Sequence, residues 1–302
     1  MKKIKIYLVT YQRENILNDS LDKLFSSDFK NHDNTEVNII NNHTNFKLNP
    51  IFEKRVNVLH NVLRPDWSNG NMSENYNHAF INGICDLNKP HTENLVTMQN
   101  DAAVHPNWVE HLFEMRYGQG NTLVVGHFGD NVVCHTADSV KKIGMWDENL
   151  PHQYKEPDYW IRALNFNKDN SSINDTLHGT TSNNKNALDI DISDDRNFQL
   201  EDDTKRGKDT LKRKPDDAEQ QSIWHGSRGG IYANSAWKYF SYKWGGTWKE
   251  EPTREKWLFN WTDEFRNNPP DLTKSRIKQA YKYIYFEKNI ENQQNKGYTG
   301  IW

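Results

Sequence analysis

Along about the first 165 residues, short apolar runs alternate with stretches of helical periodicity, and this alternation admits few folds. Ile4 to Val9 reads as a first strand, ending at Thr10-Tyr11-Gln12-Arg13. A helix follows, with Ile16, Leu17, Leu21, Leu24 and Phe25 on one face. Val37 to Ile40 predicts a second strand and Val56 to Leu59 a third, before a polar and aromatic loop from Arg64 to Asn71. The next helix begins near Ser73 and runs through Tyr76, Ala79, Phe80 and Ile84. Leu95 to Met98 then reads as a buried strand that stops on Gln99-Asn100-Asp101, and Pro106 opens a helix through Val109, Leu112 and Phe113. Two short strands (Leu123 to Val125, Val132 to Cys134) and two helices (Asp138 to Ile143, Pro157 to Phe166) complete the series. The expected class is α/β: a mixed, mainly parallel sheet with helices on both faces.

Composition narrows the function classes. Of 302 residues only 35% are hydrophobic, yet 11 Trp, 13 Tyr and 13 Phe can build a core. A net charge of -3 disfavours a bulk nucleic-acid binder. Two cysteines, Cys85 and Cys134, make no disulfide framework, and both sit in apolar stretches that predict buried thiols. Lys5 breaks the apolar run behind Met1-Lys2-Lys3, so no signal peptide is expected, and no apolar segment approaches the roughly 20 residues of a membrane span. A soluble protein of the cytoplasm is the expectation. Three parts follow: a core over 1–182, a polar stretch over 183–222, and a mostly helical aromatic-rich extension over 223–302. The middle stretch reads as a solvated or partly disordered loop, with an active-site lid as the functional alternative.

Ligands of open α/β sheets bind beyond the carboxyl ends of strands. Thr10, Tyr11 and Arg13 follow the first strand and Asn41 the second; there Tyr11 can stack on a nucleotide base and Asn41 can pair with an imide edge. Gln99, Asn100 and Asp101 end the central strand, where a carboxylate is a candidate metal or phosphate-side ligand, although Asn and Asp also end strands for local hydrogen-bonding reasons. Glu156 and Asp158 flank Pro157 at a helix start, a place for a cap or a general base. Asp158 and Arg162 also have the spacing of a plain helical ion pair, whereas Glu156 has no such partner in sequence. His178, in a polar loop, is a candidate ligand for Mn²⁺ beside carboxylate and phosphate oxygens, and His225 is a weaker one. No CxxC pair, HExxH, P-loop or GxGxxG occurs, which argues against zinc hydrolases, kinases and NAD enzymes.

Taken together, these groups resemble a glycosyltransferase of the GT-A fold, family 2 in kind. Gln99-Asn100-Asp101 matches that family's DxD position, Ile143-Gly144-Met145-Trp146-Asp147-Glu148 its G-x-F/W-D-E segment, and Glu156-Pro157-Asp158 with Arg162 its E-D-x-D-x-x-x-R. Arg64-Pro65-Asp66-Trp67-Ser68-Asn69-Gly70, Tyr76-Asn77-His78-Ala79, Ser172 to His178 and Lys243-Trp244-Gly245-Gly246 resemble a viral and phage-like group within it. In this chain Gln99 stands where the family has an acidic residue, Asn41 where it has Asp, and Glu156 where it has the Asp that acts as base.

The resemblance implies an inverting enzyme that moves a sugar from a nucleotide-sugar, a UDP-sugar being favoured, to a hydroxyl of a glycan or protein. It implies Glu156 as general base and Asp158 as the residue placing the acceptor or its loop. Asp101 and His178 would hold Mn²⁺ or Mg²⁺. Thr10, Tyr11, Arg13, Asn41, Arg64, Trp67, Asn77, Gln99, Asn100 and Asp101 would bind the donor. Three alternatives remain at this level: a glycosyltransferase acting on modified bases of phage DNA, a non-catalytic carbohydrate-binding module on the same scaffold, and a nucleotidyltransferase.

Overall fold

Strand β1 (Ile4–Thr10) is buried along its whole length, and the sheet grows outward from it on both sides. The structure, a computed structural model, describes residues 3–11, 14–43, 45–61, 71–100, 102, 104–118, 120, 122–126, 132–151, 154–156, 158–159, 162, 192–195, 236, 238–240 and 243. Six further strands join β1: β2 (Thr35–Asn41), β3 (Asn57–His60), β4 (Asn94–Gln99), β5 (Leu123–Gly126), β6 (Val132–His135) and β7 (Ile192–Asp195). Their order is β3-β2-β1-β4-β6-β5-β7. β1 pairs in parallel with β2 and β4, and β3 continues in parallel beyond β2. β6 runs antiparallel to both β4 and β5, and β7 is parallel to β5. The mixed, mainly parallel sheet expected from the alternation is therefore present.

Side chains alternate across β1 and divide the interior in two. Ile4, Ile6 and Leu8 face a core with Leu17, Leu21 and Leu24 of α1 (Glu14–Ser26) and with Trp108, Val109 and Leu112 of α3 (Trp108–Phe113). Tyr7 and Val9 face the other core, built with Tyr76, Ala79 and Phe80 of α2 (Met72–Gly83) and Val140 and Ile143 of α4 (Ala137–Ile143). Helices thus cover both faces. Gly83 lets α2 lie close to the sheet: a Cβ there would overlap Leu95 Cδ1 and press on Tyr7. Thr136 and Ser139 form a reciprocal capping box that starts α4.

Several expectations are corrected. The helix read from Pro106 begins at Trp108, with Pro106 and Asn107 in a turn. Its first free N–H groups are capped from a distant segment: Asp28 accepts from Val109 N (3.2 Å) and Glu110 N (2.9 Å). Cys134 is buried as expected, but Cys85 is exposed. It sits just past the end of α2 at φ +62°, where the chain reverses, and so lies off the helix's apolar face. Within the polar 183–222 stretch, Ile192–Asp195 forms β7; an edge strand needs only backbone pairing, which a polar sequence can supply. The rest of that stretch, and most of the 223–302 extension, lie outside the described residues. Among the described residues no helix is long and apolar enough to cross a membrane.

His135 ends β6 fully enclosed, with ring centroids of Phe80 at 4.7 Å, Tyr159 at 5.8 Å and Trp146 at 6.4 Å. Neither ring nitrogen has a hydrogen-bond partner among the described residues. Burial pushes its pKa down from 6.5 to about 3, so the folded ring is neutral. The unfolded chain therefore takes up the proton first as pH falls. The stability His135 allows is whole above its unfolded value and declines by about 1.4 kcal/mol per pH unit below it, until the folded value is reached. Urea unfolding from about pH 7 to pH 5 should show this loss. The slope should be shallower by that amount in His135→Phe; an equal slope in the two proteins would assign the acid sensitivity to other groups.

Candidate functional site

The register of the central strands sets polar residues side by side at one edge. Thr10 lies opposite Asn41, Asn41 opposite His60, and Val9 opposite Gln99. β1 and β4 are adjacent while the connection from β1 runs away to β2, so the crevice beyond their carboxyl ends is the sheet's topological switch point. There Asn100 Nδ2 donates to Thr10 Oγ1 (3.2 Å), tying the two strand ends together. Asn42 reinforces the edge, its backbone N–H (3.0 Å) and Nδ2 (3.3 Å) both donating to the Thr10 carbonyl. Tyr11 is half-buried and meets the His43 ring edge-on, with centroids 5.4 Å apart.

Of the donor-binding residues expected from sequence, Thr10, Tyr11, Asn41, Gln99 and Asn100 come together here. Arg13, Arg64, Trp67 and Asp101 lie outside the described residues, as does His178. Asn41 is fully buried. Its Oδ1 accepts from His43 N (3.0 Å), its Nδ2 donates to the His43 carbonyl (2.7 Å), and the same Nδ2 lies 3.1 Å from His60 Nδ1. These bonds fix the amide's orientation; pairing with a base edge would require it to give some of them up. His60, exposed at the end of β3, was not singled out from the sequence. A strand-end histidine two positions across the sheet from Thr10 leaves no spacing pattern to read.

Among the described residues no group of three or more His, Cys, Asp or Glu side chains lies together to hold a metal ion. The described side chains at this edge are the hydroxyls of Thr10 and Tyr11, the neutral amides of Asn41, Asn42, Gln99 and Asn100, and the rings of His43 and His60. Hard divalent cations prefer carboxylate and phosphate oxygens. The described donor set alone therefore does not fit such an ion.

A second constellation surrounds the loop that follows α4. Asn77 is buried, and its amide is spent on that loop: Oδ1 accepts from Trp146 N (2.8 Å), while Nδ2 donates to the Trp146 carbonyl (2.9 Å) and to Glu148 Oε1 (2.8 Å). Asn77 thus shapes the loop, a task different from the direct donor contact expected of it. Asn71 and Ser73 add bonds to the Glu148 and Leu150 carbonyls. Because Asn61, just after β3, donates to Asn75 on α2, this first part of α2 stands at the carboxyl edge of the sheet. The loop is drawn to that edge, and the helical residues Lys155 and Glu156 follow it. Glu156 Oε1 accepts from Lys155 Nζ at 2.5 Å.

Asp158 is fully buried between two cations. Arg162 Nε reaches Oδ2 at 3.0 Å, the helical pair expected from spacing, and Lys243 Nζ reaches Oδ1 at 2.5 Å. Lys243 also contacts Asp147 Oδ2 at 2.6 Å, where Tyr239 donates at 2.8 Å. Arg162 Nη1 donates to the Ile143 carbonyl at the end of α4 (2.8 Å). Burial works against the charge of Asp147, but the Lys243 ammonium and hydrogen bonds from Lys243, Asn149 and Tyr239 hold its carboxyl down at about 2. Burial and the Asp147 charge push the Tyr239 hydroxyl up.

No protein-family model matches the chain, and no curated protein matches it. Solved structures resemble it weakly. TarS of S. aureus in complex with UDP aligns over 54% of this chain and 55% of its own, at 14% identity and TM-score 0.41. Glucosyl-3-phosphoglycerate synthase from Mycobacterium tuberculosis, with Mn²⁺, UDP-glucose and phosphoglyceric acid, aligns over 54% and 65%, at 11% identity and TM-score 0.40. The mannosyltransferase PcManGT from Pyrobaculum calidifontis, with GDP-Man and Mn²⁺, aligns over 97% and 88%, at 10% identity and TM-score 0.39. This chain spans about half of the TarS chain, and likeness at this level does not assign it to any of these proteins.

The buried cluster is balanced, two carboxylates against two cations. Removing one partner of a buried pair leaves an uncompensated charge, at about 3–5 kcal/mol. Lys243→Met should lower unfolding stability by that order in urea titration. Adding Asp147→Asn should return part of the loss, because the surplus anion goes with the cation. A Lys243→Met protein as stable as the wild type would show that the cation does not support the fold.

Proposed function

We propose that the chain is a GT-A glycosyltransferase that transfers a sugar from a nucleotide-sugar to a hydroxyl group, with inversion. One observation carries this reading: the switch-point edge of β1 and β4, where Thr10 and Asn100 meet, is also the edge to which α2 draws the loop leading into Glu156. In this reading the donor site and the acceptor-side carboxylate share that edge of the sheet. The mixed sheet with helices on both faces agrees with the fold that the sequence resemblance implies.

The chemistry breaks the bond between the anomeric carbon and the diphosphate through a transition state with oxocarbenium character. In this reading the nucleotide lies along the edge from β3 toward β4. Tyr11 offers a ring face to the base, and Thr10, Gln99 and Asn100 line the path of the diphosphate. Arg13, Arg64 and Trp67 are assigned to the donor from the sequence motifs alone. Glu156 takes the proton of the acceptor hydroxyl as its oxygen attacks from the face opposite the departing diphosphate. Asp158, clamped by Lys243 and Arg162, holds the helical turn that carries Glu156. Asp101 and His178 are the ligands assigned to Mn²⁺ or Mg²⁺, which when bound would neutralise charge on the leaving diphosphate. A UDP-sugar donor and a glycan or protein acceptor complete the proposal.

A positioned general base contributes about 10²–10⁴-fold. Glu156→Gln should lower kcat for nucleotide-sugar turnover by that range and leave nucleoside-diphosphate affinity unchanged. Turnover equal to wild type would remove Glu156 from the role of base.

A further inference from the structure

One backbone outlier stands two residues before the candidate base. Tyr154 has φ +63° although it is neither glycine nor asparagine, and it is fully buried. Bulky residues adopt this left-handed conformation only where their surroundings enforce it, and such strain gathers at functional sites. Two elements enforce it here. The Tyr154 ring packs on Phe240, with centroids 5.4 Å apart at 32°. The Tyr154 carbonyl accepts from Asp158 N (3.1 Å), and the Asp158 carboxylate is held by Lys243 and Arg162. Phe240 and Lys243 are both helical residues of a sequence segment some eighty residues further along the chain.

We propose that this segment is a clamp that sets the aim of Glu156, with Phe240 and Lys243 as positioning residues. The inference rests on the proposed function for its catalytic consequence, and on geometry alone for the clamp. Lys243 is the only cation among the described residues that bridges a carboxylate of the loop after α4 (Asp147) to one of the helical turn (Asp158). It ties the loop that Asn77 anchors to the turn that carries Glu156. Phe240 closes on the strained residue between them. With the clamp released, Tyr154 can relax to an ordinary backbone conformation and the Lys155–Glu156 pair turns with it.

The test uses Phe240→Leu and the charge-balanced pair Lys243→Met/Asp147→Asn, each in the full chain, with folding verified by thermal denaturation. Hydrogen exchange reads the clamp without reference to activity: amides from Tyr154 to Asp158 should exchange at least tenfold faster in both proteins. Kinetics read its purpose. In each protein kcat should fall tenfold or more, while affinity for a nucleoside diphosphate stays within twofold of wild type. Placed in a Glu156→Gln background, the same changes should leave the residual rate within twofold, because the base they would misdirect is gone. Unchanged exchange at 154–158 overturns the clamp. Equal losses in the two backgrounds overturn its action through Glu156 and leave a packing role only. A wild-type chain that turns over no nucleotide-sugar overturns the proposed function, and the exchange measurement still decides whether the clamp exists.

Discussion

The structure depends first on β1. It is hydrogen-bonded in parallel on both sides and buried on both faces, so its register and the alternation of its side chains are fixed together. A slip of one residue would move Ile4, Ile6 and Leu8 into the core of Tyr7 and Val9 and displace Thr10 from Asn41. The precision of the polar edge is thus inherited from apolar packing. Thr10, Asn41, Asn100 and His60 hold their places because the Ile, Leu and Val residues behind them admit one register.

The second organising element is electrostatic. Lys243, Asp147, Asp158 and Arg162 bury four charges that balance, in a place where apolar side chains of similar volume would serve stability as well. What the ion pairs add is directionality. A carboxylate between two cations has a fixed orientation, and a lysine between two carboxylates fixes the spacing of the segments that carry them. This cluster joins the end of α4, the loop after it, the turn bearing Glu156 and the remote residues Lys243 and Tyr239. Around it Tyr159 stacks on Trp146 at 4.1 Å, and Tyr76 packs on the same indole.

Much of the sheet was legible in the sequence because its strands are short β-branched and aliphatic runs bounded by polar residues. Their directions were less so: Val132 to His135 carries no mark of running antiparallel, since a strand buried on both faces looks the same either way. β7 left no signal, because Ile192-Ser193-Asp194-Asp195 joins the edge through its backbone. The start of α3 was misplaced because its cap comes from Asp28, about eighty residues earlier in the chain. At the candidate site, spacing revealed the Asp158–Arg162 pair, one helical turn apart, but not Lys243, whose partners lie 85 and 96 positions away, nor His60 across the sheet. The sequence pattern marks Asn77 and Asn41 as candidate donor-binding residues. What sequence did not give was the direction of their amides, which point into the protein's own backbone and neighbouring side chains.

The most direct measurement is a thermal-shift comparison of UDP, GDP, dTDP and CDP on the full chain, each with and without Mn²⁺. Ligand at about 100 times its dissociation constant adds about 2.7 kcal/mol of stability, enough to raise Tm visibly. A nucleotide site at the β1–β4 edge predicts a rise with one nucleotide, larger with Mn²⁺ and reduced in Asn100→Ala. No rise with any of the four, with or without the metal, would contradict the assignment of this edge to a nucleotide-sugar.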